Sequence, residues 1–151
     1  MDSKKDDHKK DFEIIVEDNW VRLRAQKGVF ISTDLLLSTL EGLHSTEAYQ
    51  NDKKGSLWDF RGCSSDLNFE KMNVIKKYIE THYNADWSHR FTAFVVDHDL
   101  LYGLARMYEM IAEKIPTTIH IFKDMDQAEN WLCEEITKYD HGNQSIKLNK
   151  S

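Results

Sequence analysis

The first apolar residues of the chain alternate with polar ones in two short runs. Residues 12–16 (FEIIV) and 21–25 (VRLRA) each place apolar side chains at every second position, and arginines occupy the opposite face of the second run. A period of two is typical of half-buried β-strands. The Asp-Asn pair at residues 18–19 favours a tight turn. We therefore expect an antiparallel hairpin at the edge of a sheet.

Downstream, the apolar positions form helical stripes and short continuous runs. The runs SLWDF, FTAFVVD and TTIHIF favour strands buried on both faces. One stripe precedes them, capped by Ser32 or Thr33 and continuing less clearly toward Gln50. One predicted helix follows each of the three runs. Pro116 ends the helix after FTAFVVD, and Asp124 begins the helix after TTIHIF in a pattern like a capping box. The apolar stripes of these three helices span residues 69–79, 100–115 and 128–136.

This order, a hairpin and a helix followed by three strand–helix units, determines the expected fold class. Strand–helix–strand units require right-handed crossovers and a parallel sheet covered by helices. The sequence therefore predicts an α/β fold with a mixed five-stranded sheet, in which one edge hairpin is antiparallel and the other strands are parallel, and four helices.

The length of 151 residues predicts one domain, which we place at residues 12–138. Residues 1–11 interleave lysines with aspartates and predict a disordered charged tail. Residues 139–151 are polar without periodicity and predict a second tail.

Charge and composition narrow the function classes. A net charge of −6 argues against a nucleic-acid partner or an anionic membrane surface. No apolar run approaches the ~20 residues of a membrane span, and no export signal is visible. Cys63 and Cys133 have no metal-like spacing, and reduced thiols in a cytoplasm are expected. Neither GxxxxGK[ST] nor GxGxxG occurs, so no cofactor is predicted.

Candidate chemistry concentrates where the parallel strands end. Ligands of open α/β sheets favour the crevice outside the carboxyl ends of these strands. Three segments, residues 61–66, 97–99 and 123–124, should meet there, each before a helix whose N-terminal N–H groups favour anions.

The segment Gly62-Cys63-Ser64-Ser65 has two interpretations. It could hold a reactive thiolate or a phosphorylatable hydroxyl near a helix start. The simpler interpretation, which we prefer, is that Gly62 permits a turn while Ser64, Ser65 or Asp66 caps the next helix.

The Asp97-His98-Asp99 triplet resembles a metal or acid–base cluster, but adjacent side chains diverge, and a helix cap at Asp97 or Asp99 is preferred. A pair of Cys63 with His98 is a further alternative. Gly103, inside a helical stripe, predicts close packing on the sheet, with the floor of a small cavity as the alternative.

Residues 91–132 resemble the carboxyl half of the SpoIIAA-like family, within the STAS group of sulfate-transporter and anti-sigma-factor-antagonist domains. The resemblance lies in an apolar strand, then YGLARM at 102–107, a strand ending IFKD at 121–124, and AENWL at 128–132. LWDFRG at 57–62 is similar to the family's central strand.

The resemblance implies a hairpin start, a mixed sheet, four helices and a regulatory module that binds protein partners; some members bind nucleotides or apolar ligands. It also implies a switch serine at the helix after the central strand, here Ser64 or Ser65, although the family's Gly-Leu-Gly continuation is missing. Candidate partner- or ligand-binding residues are Arg61, Cys63, Ser64, Ser65, His98, Tyr102 and Lys123.

Three hypotheses follow, in order of preference. The first is a non-enzymatic regulatory module that engages an unidentified protein partner through the face near residues 62–66 and 97–99. A homodimer is a further alternative. The second is a carrier of a small apolar or lipid-like ligand between the helices and the sheet. The third is an enzyme that uses Cys63 with His98.

Overall fold

A computed structural model describes residues 11–51, 53–83, 89–111, 113 and 115–149 of the chain, and it leaves undescribed the side chains of residues 98, 99 and 143–149. Apart from Asp11, the predicted N-terminal tail lies outside the described residues.

Five strands form the main sheet, in the spatial order β1-β2-β4-β6-β7. The first two are the predicted hairpin, with Phe12 opposite Ala25 in antiparallel register. All later pairs are parallel, as the crossover pattern requires. The mixed five-stranded α/β sheet is thereby confirmed. Its strands are β1 (Phe12–Val16), β2 (Val21–Ala25), β4 (Gly55–Asp59), β6 (Arg90–Val95) and β7 (Thr117–Phe122).

A second, two-stranded sheet was not predicted. It pairs β3 (Phe30–Ile31) with β5 (Ser64–Ser65) in parallel, so that Phe30 lies beside Ser64. The segment after β2 is therefore hydrogen-bonded to the segment after β4.

The described residues contain five helices, one more than predicted. The first predicted helix is divided in two. Its first part ends at the C-cap Ser45, whose N–H donates to the Glu41 carbonyl, and a short helix with the buried Tyr49 follows. The helices are α1 (Thr33–His44), α2 (Glu47–Asn51), α3 (Phe69–His82), α4 (His98–Ile111) and α5 (Met125–Asn149).

The sheet separates two apolar layers. Helices α1, α3 and α4 pack on one face, against side chains such as Trp58, Phe60 and Phe94. Helix α5 packs on the other face, against alternate strand residues such as Leu57 and Ala93. Strands that are buried on both faces explain the continuous apolar runs of the sequence.

Two helix boundaries differ from the sequence prediction. Helix α4 is described as far as Ile111, and Ile115 is not helical, because it precedes Pro116 and a proline disfavours helical backbone at the residue before it. The predicted polar tail from residue 139 is helical as far as Asn149, as a continuation of α5.

Within the described parts of the chain, no helix combines the length and apolarity that a bilayer crossing needs. A cytoplasmic location stays a prediction.

Candidate functional site

The predicted convergence of strand ends exists. The Phe60 N–H donates to the Val95 carbonyl over 2.8 Å, and the Val96 N–H donates to the Phe122 carbonyl over 3.0 Å. The exits of β4, β6 and β7 therefore lie side by side at one edge of the sheet, which we call the carboxyl-end rim.

Asp59 and Arg61 form the best-defined polar contact of the rim. The Arg61 Nε and Nη2 atoms donate to Oδ1 and Oδ2 of Asp59, each over 2.9 Å, and the Arg61 N–H donates to Oδ1 over 3.1 Å. Asp59 is only 7% exposed. These hydrogen bonds, followed by the charges of Asp59, Asp97 and Asp124, raise the pKa of Arg61 against the opposing effect of burial. The candidate binding residue Arg61 is therefore already engaged by a neighbour in its own chain.

Asp97 contacts the neighbouring strand exit through its side chain. Its Oδ2 accepts a hydrogen bond from the Gly62 N–H over 2.5 Å, and its backbone carbonyl accepts from the Leu101 N–H over 3.1 Å, so Asp97 stands directly before α4 while its carboxylate joins two neighbouring strand exits. Gly62 has a φ of +77°, a conformation that glycine adopts without strain, and this confirms its predicted turn role. The side chain of Asp99, the other predicted cap, is not described.

Cys63 lacks the character of a nucleophile. Burial, and then the negative charges of Asp59 and Asp97, raise the pKa of its thiol to about 11. The thiol donates a 3.5 Å hydrogen bond to the Gln26 carbonyl. A reactive thiolate needs a lowered pKa, so this finding removes the main support for a Cys63 enzyme. The proposed partner His98 is the first residue of α4, but its side chain lies outside the description.

Ser64 and Ser65 lie in strand β5 and do not open a helix, contrary to the prediction. The Ser65 hydroxyl donates to the Ile31 carbonyl over 2.7 Å and accepts from the Leu67 N–H over 3.1 Å. The cap of α3 is Asn68, whose side chain accepts from the Lys71 N–H. Pairing with β3 keeps both serines extended, so the helix starts later than expected.

Beside β5 lies a surface groove of about 270 Å³ between α3 and α4, which we call the aromatic groove. Phe69 and Tyr102 flank it and are 64% and 68% exposed. A Cβ atom at Gly103 would meet only the Leu67 Cβ, at 3.5 Å. The preferred explanation of Gly103, close packing on the sheet, is therefore wrong. Gly103 instead forms part of the floor of this groove, which was the alternative explanation. The groove is lined by Leu67, Asn68, Phe69, Met72, Tyr102, Gly103 and Arg106.

Lys123 and Asp124 follow β7 at the same edge. Lys123 is exposed, and Asp124 caps α5 as predicted by accepting from the Asp126 N–H over 2.7 Å. Among the residues that the structure describes, no group of three or more histidines, cysteines and carboxylates is placed to hold a metal ion.

The rim thus brings together Arg61, Cys63 and Lys123, with Ser64 and Ser65 at its side. Sequence reasoning missed Phe69 as a surface residue, because its place on an apolar helical stripe predicted burial. Its position as the first residue of α3, before the stripe is covered, was the signal that could have revealed it.

Comparison with protein-family models gave no match to this chain, and comparisons with curated proteins and with solved structures gave no significant match.

Proposed function

We propose that this protein is a non-enzymatic regulatory module of the SpoIIAA-like type that binds a protein partner through the aromatic groove and the adjoining carboxyl-end rim. The hairpin start followed by consecutive parallel strands supports the family proposal, because the resemblance in residues 91–132 implies this arrangement.

The observation that carries the proposal is the exposure of Phe69 and Tyr102 on either side of one groove. Exposed apolar side chains are ordinary when scattered, but two aromatics at a concave surface are typical of interaction sites. Tyrosine and phenylalanine are enriched in protein interfaces because they bury a large area for few rotatable bonds. The Arg106 Nη2 donates to the Tyr102 hydroxyl over 3.0 Å, which orients that ring at the groove.

The rim next to the groove favours recognition over catalysis. Asp59 fixes Arg61, Asp97 fixes the Gly62 backbone, and the pKa of the Cys63 thiol is raised. A surface whose polar groups are held before binding loses less conformational entropy when a partner docks.

Of the two candidate phosphorylation sites, Ser64 is the better one. Ser64 is exposed, whereas the Ser65 hydroxyl is half-buried and donates to a backbone carbonyl. A phosphate on Ser64 would add a charge of roughly −1.5 to −2 beside β3 and α4, which changes the docking surface without a change of fold.

Site-directed photo-crosslinking tests the proposed face. The photoreactive residue p-benzoylphenylalanine is placed at Tyr102 in one protein and at Tyr108 in a matched control. Tyr108 lies on the same helix and is also exposed, but it does not line the groove. In an extract of the source cells, we expect a discrete crosslinked product from position 102 and none from position 108.

The variant Gly103→Leu provides the second control, because it fills the groove while favouring the helix by up to ~1 kcal/mol. We expect it to fold normally and to reduce the crosslink roughly tenfold. Equal crosslinking from both positions, or a crosslink that Gly103→Leu leaves unchanged, would contradict the proposal.

A further inference from the structure

A second site lies inside the molecule, away from the aromatic groove. A cavity of about 70 Å³ separates the main sheet from α1, α3 and α4. Its helical wall is apolar apart from His44 and Tyr49, and it includes Leu36, Leu40, Leu43, Ile75, Ile79 and Met107.

The sheet wall of this cavity carries hydroxyl groups. Ser56 of β4, Thr92 of β6 and Thr117 of β7 all line it. Thr92 lies in β6, between β4 and β7, where its neighbours Phe91 and Ala93 are 6% and 0% exposed, yet Thr92 itself is only partly buried. The cavity accounts for this exposure, because helices cover that face of the sheet.

Ser56 and Thr92 have two hydroxyl protons between them but, in the described part of the chain, only one acceptor for these protons. The Ser56 Oγ accepts from the Trp58 Nε1 over 3.1 Å and shares one hydrogen bond with the Thr92 Oγ1 over 3.3 Å. One proton serves the shared bond, whichever oxygen donates it. The other proton has no acceptor among the described residues, and a buried donor without an acceptor is costly.

We propose that this cavity binds a small, neutral, largely apolar molecule with one hydrogen-bond acceptor, such as a short-chain ketone or ester, whose oxygen accepts the remaining Ser56–Thr92 proton. Most of the wall is apolar, and Arg90, which also lines the cavity, already donates to the Tyr49 carbonyl over 3.1 Å, so the desolvation of a charged ligand would be poorly repaid. This site shares no residue with the aromatic groove and does not depend on the function proposed for that groove.

The volume limits the ligand to a few heavy atoms. A cavity of about 150 Å³ lined by apolar side chains accommodates benzene in a well-studied case. The present cavity has about half of that volume, so four or five non-hydrogen atoms, as in butan-2-one, are the upper limit of what it holds.

Methyl NMR of the full chain, titrated separately with butan-2-one and with xenon, tests this inference. Butan-2-one reports on the hydroxyl donor, and xenon reports on the apolar volume alone. We expect saturable shifts at the methyl groups of Ile75 and Ile79 with both probes.

Three variants separate the two contributions. The double variant Ser56→Ala/Thr92→Val removes both hydroxyl protons, because either residue alone would keep one for the ligand, and we expect roughly a five- to tenfold weaker affinity for butan-2-one with xenon binding retained. Leu40→Phe fills the cavity and should abolish both responses. Val74→Phe changes an exposed residue of α3 and should alter neither response.

Saturable butan-2-one shifts that weaken in Ser56→Ala/Thr92→Val and disappear in Leu40→Phe support the site. The inference is overturned if butan-2-one gives no saturable shift, as a cavity filled by tightly held water would produce, or if Ser56→Ala/Thr92→Val binds it with wild-type affinity. Neither result bears on crosslinking at the groove.

Discussion

Cys63 and His44 are both partly buried, and burial holds both in their neutral forms. For Cys63, the nearby carboxylates add to this effect. For His44, burial and then the charge of His82 lower the pKa to about 4. The His44 ring lies between those of Tyr49 and Tyr78, with both centroids at 6.2 Å. Each residue gives a prediction that depends on its local environment.

The alkylation rate of Cys63 should keep rising with pH beyond the range of an ordinary thiol. In the variant Cys133→Ser, Cys63 is the remaining thiol of the chain. We expect its rate with iodoacetamide to rise about tenfold per unit from pH 7 to pH 9 without levelling. At pH 7 the rate should be roughly 100-fold below that of an unstructured cysteine peptide, whose pKa is about 8.5. A rate that levels near pH 8.5 would show an ordinary thiol.

Acid should destabilise the protein through His44. In the unfolded chain this histidine takes up a proton near pH 6.5, whereas in the folded protein it does so near pH 4. Its contribution is therefore complete above pH 6.5 and is lost as the pH falls toward 4. Allowing for partial exposure, we expect a loss of roughly 1–2 kcal/mol in the free energy of unfolding.

The variant His44→Gln is the control for this pH dependence, and urea denaturation at pH 7, 6, 5 and 4 measures it. Between pH 6.5 and 5, where the carboxylates contribute little, the variant should show a flatter profile than the parent protein. Identical slopes would contradict the assignment to His44. Burial also lowers the pKa of His89, but this histidine is present in both proteins and so does not contribute to the difference between their profiles.

At the scale of elements, close approach between helix and sheet depends on a glycine at the start of β4. A Cβ atom at Gly55 would lie 2.9 Å from the Ile136 Cδ1 and 3.3 Å from the Trp20 Cβ. Both neighbours belong to the apolar layer beneath α5. A side chain at this position would force Ile136 or Trp20 to move, so the glycine lets α5 lie close to β4.

The variant Gly55→Ala should destabilise the protein by about 1–3 kcal/mol through overpacking. Its matched control is Gly142→Ala in α5, where a Cβ atom would meet nothing within 4 Å. We expect the control to be neutral or stabilising by up to ~1 kcal/mol, since alanine favours a helix. Thermal denaturation of both variants measures the difference, and equal effects would show that the contact with α5 is unimportant.

The elements with a strong period were predictable, and the shortest ones were not. The five main strands and the long helices have repeated apolar positions that reveal their type. Strand β5 has only two residues, so no period exists to detect. Ser64, Ser65 and Asn68 are all good cap residues, and the choice of Asn68 depends on the pairing of β5 with β3, a contact distant in sequence.

The candidate site was predictable in its position but not in its details. Parallel strands must end at the same edge, so the rim followed from topology alone. The partners of Asp59 and Asp97 depend on side-chain directions at the strand exits, and the aromatic groove depends on the separation of α3 and α4. Local patterns of residues do not encode these distances.

At the scale of the whole molecule, the two proposed sites occupy different regions. The aromatic groove adjoins the carboxyl-end rim, whereas the internal cavity reaches the amino ends of the parallel strands at Arg90 and Thr117. The homodimer considered from the sequence stays a prediction. Strand β1 lies at a sheet edge with Val16 51% exposed, so this edge is the alternative surface for association.

The central claim, that partners bind at the groove rather than at another face, is tested most directly by hydrogen–deuterium exchange. The protein is measured alone and in complex with the partner recovered by crosslinking. We predict slower exchange on binding in residues 67–72 and 100–106, and unchanged exchange in β1 and α5. Protection confined to β1 or α5, with the groove segments unchanged, would contradict the claim.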